Sequence, residues 1–216
     1  MAEGNSWFQT LYTELILRDL FGKIVPKAIA LGALLQLFGA QLPTQAASLD
    51  SWPGFLFAGL AAGASWLTGF ALQGLGEWVG LIRYFPSALD RVGWKTIAEK
   101  PLTDETLAGA TMQEDVTHTR EERYQEFLDD WRKTEKKPGQ VQQGERFVVI
   151  KEACGNGFIA LSLAIPLFVV SRLANAATVK QVVGLAVVVG ITLCLREMHF
   201  IHVKRQFVYY VQVMRP

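Results

Sequence analysis

An apolar run between residues 153 and 171 constrains this chain more than any other feature. The run contains no charged residue, and it follows directly on a charged segment that ends with Lys151 and Glu152. A helix needs about 20 apolar residues to cross the roughly 30 Å hydrocarbon core of a bilayer. The run therefore predicts a helix that enters a membrane from a charged cytoplasmic start.

The composition of the whole chain agrees with a membrane protein. Half of the residues are hydrophobic and only 19% are charged, whereas about a quarter are charged in an ordinary soluble domain. Of the 41 charged residues, 26 lie between Arg83 and Glu152, so the remaining segments are much more apolar than the average. The net charge of +1 gives no indication of nucleic-acid binding.

Three other segments resemble the first run in length and apolar character. We therefore predict an all-α polytopic membrane protein with four transmembrane helices in up-and-down hairpins, an N-terminal amphipathic helix and cytoplasmic helical extensions. Gly59 and Gly63 form a GxxxG pair that favours close helix packing. The predicted crossings are approximately residues 24–42, 55–76, 145–173 and 182–195.

These elements divide the chain into five predicted regions. They are an N-terminal interfacial helix (1–23), a first transmembrane hairpin (24–82), a cytoplasmic helical segment (83–144), a second transmembrane hairpin (145–200) and a cytoplasmic helical tail (201–216). Fifteen of the 21 Lys and Arg residues fall in the N-terminal, middle and C-terminal regions, and the predicted outer links contain only Lys180, with Arg172 beside it. The positive-inside rule then places the protein in the cell membrane, multi-pass, with both termini in the cytoplasm.

The middle region contains a predicted helix from Glu114 to Lys137, which the sequence Lys137-Pro138-Gly139 should end. Its aromatic face carries Tyr124, Phe127 and Trp131. We expect this face to pack on the bases of the transmembrane helices or on a cytoplasmic protein partner, and we interpret the three residues as partner-binding.

The predicted topology brings several polar residues to the depth of the inner membrane boundary. Charges near hydrocarbon should be paired or hydrated. One interpretation is a set of interfacial anchors and interhelical salt bridges, and the other is a polar vestibule, a gate or a small substrate site, with Glu152 and Asn156 reaching deepest. This inner-face polar layer comprises Glu77, Arg146, Lys151, Glu152, Asn156, Arg196, Glu197 and His199.

Metal binding and catalysis find little support in the motifs. His199 and His202 are three residues apart, and Cys154 and Cys194 fall at similar depth, but the spacing matches no known metal motif. The chain has no P-loop, no GxGxxG in the required context and no HExxH. We predict no metal, no cofactor and no catalytic residue.

Three functions are compatible with these features. The first is a non-enzymatic membrane component that forms a homo-oligomer. Its cytoplasmic helices would receive a signal or a partner and couple it to the bilayer, and one form of it would be a pore or channel-like effector. The second is a small membrane enzyme acting on a lipid or amphiphile at the inner face, with Glu77, Glu152 and His199 in acid–base roles. The third is a carrier for a small solute.

Overall fold

All regular structure in the part of the chain that can be described is helical. A computed structural model describes residue 28, residues 71–172 and residues 179–215. The helices are α1 (71–78), the 3₁₀ helix η1 (Ser87–Asp90), α2 (Trp94–Ala98), α3 (Asp104–Leu107), α4 (Arg120–Lys133), α5 (Pro138–Arg172) and α6 (Val179–Met214). The predicted N-terminal helix, the first crossing and the Gly59/Gly63 pair lie outside the described residues.

Two of these helices are long and apolar enough to cross a membrane. The candidate spans are Pro138–Val170, with 33 residues, and Gln181–Met214, with 34 residues. They include the third and fourth predicted crossings. Membrane insertion of these helices therefore fits their length and composition, whereas the number of crossings in the whole chain stays a prediction.

The chain divides into two compact units. The first comprises Met1–Ile82 and Glu152–His199, and the second comprises Arg83–Lys151 and Phe200–Pro216.

In the first unit, glycines shape both the end of α1 and its packing. Gly80 has a φ of 74°, a left-handed conformation that a glycine adopts without strain, and the amide of Leu81 donates to the Gly76 carbonyl at 2.8 Å. A Cβ on Gly76 would lie 2.3 Å from the end of the Ile159 side chain, so any larger residue here would have to displace that side chain where α1 packs on α5. Among the described residues of this unit, the core comprises Ile82, Phe158 and Ile159, with Leu72 and Leu195 packed against it.

The second unit has a larger core, built largely from aromatic rings. Phe127 of α4 is fully buried, and its ring lies 5.0 Å from that of Phe207 of α6 and 5.5 Å from that of Phe85. Trp131 stacks on Tyr210 with ring centroids 3.7 Å apart. The short helices η1, α2 and α3 and the turn between η1 and α2 supply further buried apolar residues, namely Ala88, Leu89, Val92, Trp94, Ile97 and Leu107.

The bounds of α4 and α5 differ from the predicted ones for reasons visible at their ends. Thr119 caps α4 and forms a capping box with Glu122, so the helix begins at Arg120 instead of Glu114. α4 already ends at Lys133, and Pro138 begins α5 instead of ending α4. Proline is tolerated in the first turn of a helix because the first amides have no helical partner there. A helix boundary lies at Pro138 as predicted, but it is the start of α5 and not the end of α4.

Candidate functional site

The predicted inner-face polar layer is divided between the two units. Arg146 and Lys151 belong to the second unit. The first unit contains the other members, Glu77, Glu152, Asn156, Arg196, Glu197 and His199. Whether the eight residues act as one site stays a prediction.

In the first unit, His199 of α6 packs directly on Gly155 of α5. His199 is 2% exposed, and a Cβ on Gly155 would lie 2.7 Å from its Nδ1 atom. Asn156, the next residue along α5, is 5% exposed, and Glu152 lies one turn earlier with its Oε2 atom buried and without a hydrogen-bond partner among the described residues. Gly155 thus allows an imidazole to lie against the part of α5 that carries the two deepest predicted polar residues.

Arg196 and Glu197 differ from the buried members of this set. Both are exposed, and Arg196 Nη1 lies 3.0 Å from Glu197 Oε1. An exposed ion pair between neighbours in sequence contributes little to stability, typically below about 1 kcal/mol. These two residues therefore have the character of a solvated or interfacial pair.

Lys151 of the second unit is buried, with an exposure of 4%. Its ammonium group donates to the carbonyl of Tyr84 at 3.3 Å and lies 5.3 Å and 5.8 Å from the ring centroids of Tyr84 and Phe85. A carbonyl and two aromatic faces compensate part of the cost of desolvating the charge. Lys151 thus holds the start of the 83–90 segment on α5, while Arg146 is exposed.

The predicted partner-binding face of α4 packs within the chain. Phe127 is completely buried and stacks on Phe207 of α6. Tyr124 is half-buried against Phe85, with ring centroids 4.7 Å apart, and Trp131 is half-buried on Tyr210. Partner binding by these three residues stays a prediction.

Arg123 is a structural residue that no pattern in the sequence indicates. It is 4% exposed and lies on α4 among acidic neighbours that suggest a solvated face. Its guanidinium donates to the carbonyls of Leu89, at 3.3 Å, and Asp115, at 2.9 Å, and also to those of Asp90 and His118. Arg123 therefore fixes the loops on both sides of the aromatic core.

Asp90 organises a second polar cluster at the surface of the same unit. Its carboxylate accepts from Arg83 at 2.7 Å, lies 3.1 Å from Arg120 Nε, and accepts the Tyr124 hydroxyl. Burial, followed by this hydrogen bond to Asp90, raises the pKa of Tyr124 above its ordinary range. The phenol therefore stays protonated and acts as a structural donor.

A cavity of about 460 Å³ in the second unit also escaped the sequence analysis. Its walls combine apolar side chains with two bases and one acid, and Lys204 Nζ lies 2.7 Å from Asp104 Oδ1. The lining residues are Leu102, Asp104, Leu107, Phe147, Ile201, Lys204, Arg205, Val208, Tyr209 and Gln212. The only signal in the sequence was the amphipathic alternation of bases with apolar residues after His202.

Neither the histidines nor the cysteines of the described chain form a metal centre. Among residues 71–172 and 179–215, no three His, Cys, Asp or Glu side chains are placed to hold a metal ion. Cys154 is half-buried and Cys194 is exposed, both as free thiols.

No family model, no curated protein and no solved structure matches this chain. The fold of the described residues therefore defines the class of protein. It is an all-helical structure with two helices of membrane-spanning length and a compact helical unit.

Proposed function

We propose that this protein is a non-enzymatic integral membrane component that self-associates in the bilayer and couples a cytoplasmic helical unit to it. The proposal includes four crossings with both termini in the cytoplasm. It also includes a pore or channel-like effector as one form of the assembly. The second unit is the region that would receive a signal or a partner.

The two different halves of α6 carry this proposal. The half before His199 exposes a series of valines, with Val182, Val183 and Val187 each more than half exposed. The half after it contributes Phe207 and Val211, both at most 1% exposed, to the core of the second unit. A contiguous exposed apolar surface is unfavourable in water and marks a membrane or protein contact. The half of α6 before His199 thus has a surface suited to lipid, whereas the half after it is part of the core of the second unit.

The distribution of charge supports the proposed orientation. The segment from Arg83 to Glu152 carries 26 of the 41 charged residues, and it belongs almost entirely to the second unit. Lys and Arg are enriched on the cytoplasmic side of membrane proteins. A cytoplasmic second unit accounts for both its polar surface and its aromatic core.

Glycines in the apolar half of α6 support self-association. A Cβ on Gly184 or on Gly190 would meet no atom within 4 Å among the described residues. Small residues allow transmembrane helices to approach closely, because packing replaces the hydrophobic effect as the driving force inside lipid. These positions are open to a helix from a second copy.

The proposal is tested by fractionation and by the size of the purified protein. We expect the full chain to stay with membranes after alkaline carbonate washing and to run as an oligomer in mild detergent by light scattering. Gly184→Leu should reduce the oligomer, whereas the control Val187→Leu should not. Release by carbonate would overturn membrane integration, and a strictly monomeric protein that gives no ion flux in liposomes would overturn the assembly and its pore form.

A further inference from the structure

The cavity of the second unit has the chemistry of a site for an anionic amphiphile. Its volume of about 460 Å³ falls within the range of roughly 300–1,000 Å³ typical of small-molecule sites. Leu102, Leu107, Phe147 and Val208 supply apolar walls, and Lys204 and Arg205 supply positive charge. An apolar cavity with a few placed charges is suited to a ligand with a charged end and an apolar body.

The charges of the lining leave an excess of one positive charge. Lys204 is paired with Asp104, at 2.7 Å. Arg205 is exposed and forms no ion pair with any residue that the structure describes. A guanidinium binds phosphate through two parallel hydrogen bonds, which makes Arg205 the natural contact for a phosphate group.

The walls are held in position by contacts outside the cavity. The Tyr209 hydroxyl donates to the Gln140 carbonyl at 3.0 Å, which fixes the ring between α5 and α6. Phe147 packs on the same ring with centroids 5.6 Å apart. The cavity is therefore bordered by ordered aromatic groups, so less conformational entropy is lost when a ligand binds.

We propose that this cavity binds the anionic phosphate head group of a membrane lipid, with Arg205 and Lys204 on the phosphate and the adjoining apolar part of the lipid on Val208, Leu102 and Phe147. The choice of a lipid rests on the proposed membrane function, because a chain anchored in a bilayer meets lipid at high local concentration. Basic residues near a membrane surface are attracted to anionic lipids by about 1 kcal/mol each.

Asp104 gives the proposal a test in which affinity should rise. Its carboxylate occupies Lys204 and repels an anion, and its side chain is 83% exposed, so Asp104→Asn removes charge with little effect on packing. We expect Asp104→Asn to tighten binding of a short-chain phosphatidylglycerol about fivefold and Arg205→Gln to weaken it about fivefold. A purely structural role for these residues would not give opposite signs.

The experiment uses the full chain in a neutral detergent and isothermal titration with three probes. These are short-chain phosphatidylglycerol, phosphatidylcholine of the same chain length, and inorganic phosphate. Lys133→Gln is the matched control, because Lys133 is an exposed base that does not line the cavity. We expect phosphatidylglycerol to bind more tightly than either other probe, and Lys133→Gln to leave its affinity unchanged.

Several outcomes would overturn the proposal. They are equal affinities for the two lipids, equal affinities for phosphatidylglycerol and inorganic phosphate, or equal losses in Arg205→Gln and Lys133→Gln. Val208→Trp, which fills the cavity, should abolish binding. If this variant does not fold, Asp104→Asn and Arg205→Gln still test the proposal. If the chain is retained by carbonate-washed membranes but fails these binding tests, only the proposed lipid site is refuted. If the chain is released by carbonate and still prefers phosphatidylglycerol, only the proposed membrane function is refuted.

Discussion

Arg123 stabilises the second unit by joining two segments of the chain, around Asp90 and around Asp115, to α4. Four backbone carbonyls, from Leu89, Asp90, Asp115 and His118, accept from one guanidinium with an exposure of 4%. A lost partner for a buried polar group costs about 1–3 kcal/mol, and several carbonyls lose theirs together if the guanidinium is removed.

We therefore predict that Arg123→Ala lowers the free energy of unfolding by at least about 3 kcal/mol. Arg132→Ala is the matched control, since Arg132 is exposed and pairs with Asp129 at 3.0 Å, and its loss should stay below about 1 kcal/mol. Chemical denaturation monitored by near-ultraviolet circular dichroism measures both. Equal effects of the two substitutions would show that the carbonyl contacts of Arg123 are not important to the fold.

Asp115 makes the loop before α4 sensitive to acid. Hydrogen bonds from the side chain and backbone of Thr117, and then from His118, lower its pKa from the ordinary 3.8 to about 2. Because the folded pKa is depressed, its contribution to stability is present above pH 3.8 and is lost as the pH falls toward about 2.

The expected result is a titration of Asp115 near pH 2 in the wild-type protein and at a higher pH in Thr117→Val, which removes the 2.5 Å hydrogen bond from the threonine hydroxyl. The carboxyl carbon shift of Asp115, followed by nuclear magnetic resonance, measures this directly. In Asp115→Asn, the loss of stability between pH 3.8 and about 2 should be smaller than in the wild type. Titration of the wild-type carboxyl at its ordinary value would refute the loop geometry.

At this scale the sequence predicted residue environments unevenly. It predicted a start of α4 at Glu114, although Thr119 and Glu122 have the spacing of the capping box with which the helix begins at Arg120. It did not identify Arg123 as buried, because the partners of its guanidinium are carbonyls from distant segments, and backbone acceptors have no signature in sequence. For Phe127 it left two contacts open, the bases of the transmembrane helices or a partner, because an apolar helical face does not reveal whether a partner or the same chain covers it.

At the scale of elements, the contact between α5 and α6 in the first unit depends on one missing side chain. Gly155 leaves room for the His199 ring, whose Nδ1 and Cε1 atoms would lie 2.7 Å and 3.0 Å from an added Cβ. His199 is 2% exposed and has little space to move. A methyl group here must therefore displace either the ring or a helix.

Gly155→Ala should reduce stability in detergent by about 1–3 kcal/mol through overpacking. Gly74→Ala, in α1, introduces the same methyl group where no atom of the described residues lies within 4 Å, and it should leave stability unchanged or raise it by less than about 1 kcal/mol. Thermal unfolding measures both, and modification by diethylpyrocarbonate reports whether His199 has become accessible. A harmless Gly155→Ala would contradict the close packing at this point.

Element identity was easier to predict than element ends. α6 was expected to continue past Arg196 without a break, and it extends as one helix from Val179 to Met214. No Gly or Pro interrupts the sequence from Ile191 to Met214, so local propensity and the observed structure agree. The cavity beside α6 was not predicted, because its walls come from three segments that are remote in sequence and its existence depends on how they pack.

At the scale of the whole molecule, the proposed topology makes a prediction about the cytoplasmic segment before the second hairpin and the turn within that hairpin. Lys133 is an exposed residue of the second unit, and Val179, at the start of α6, is 79% exposed. Under the proposed orientation, Lys133 lies in the cytoplasm and Val179 lies on the outer side of the membrane.

Single cysteines at these two positions, in a chain whose Cys154 and Cys194 are replaced by serine, test this orientation. A membrane-impermeant maleimide added to intact cells should label Val179→Cys and should leave Lys133→Cys unlabelled until the membrane is permeabilised. The chain without cysteines is the control for background labelling. The opposite pattern would show that the hairpin is inverted. Labelling of both positions from outside would show that α5 and α6 do not cross the membrane. Their exposed valines must then be covered by protein.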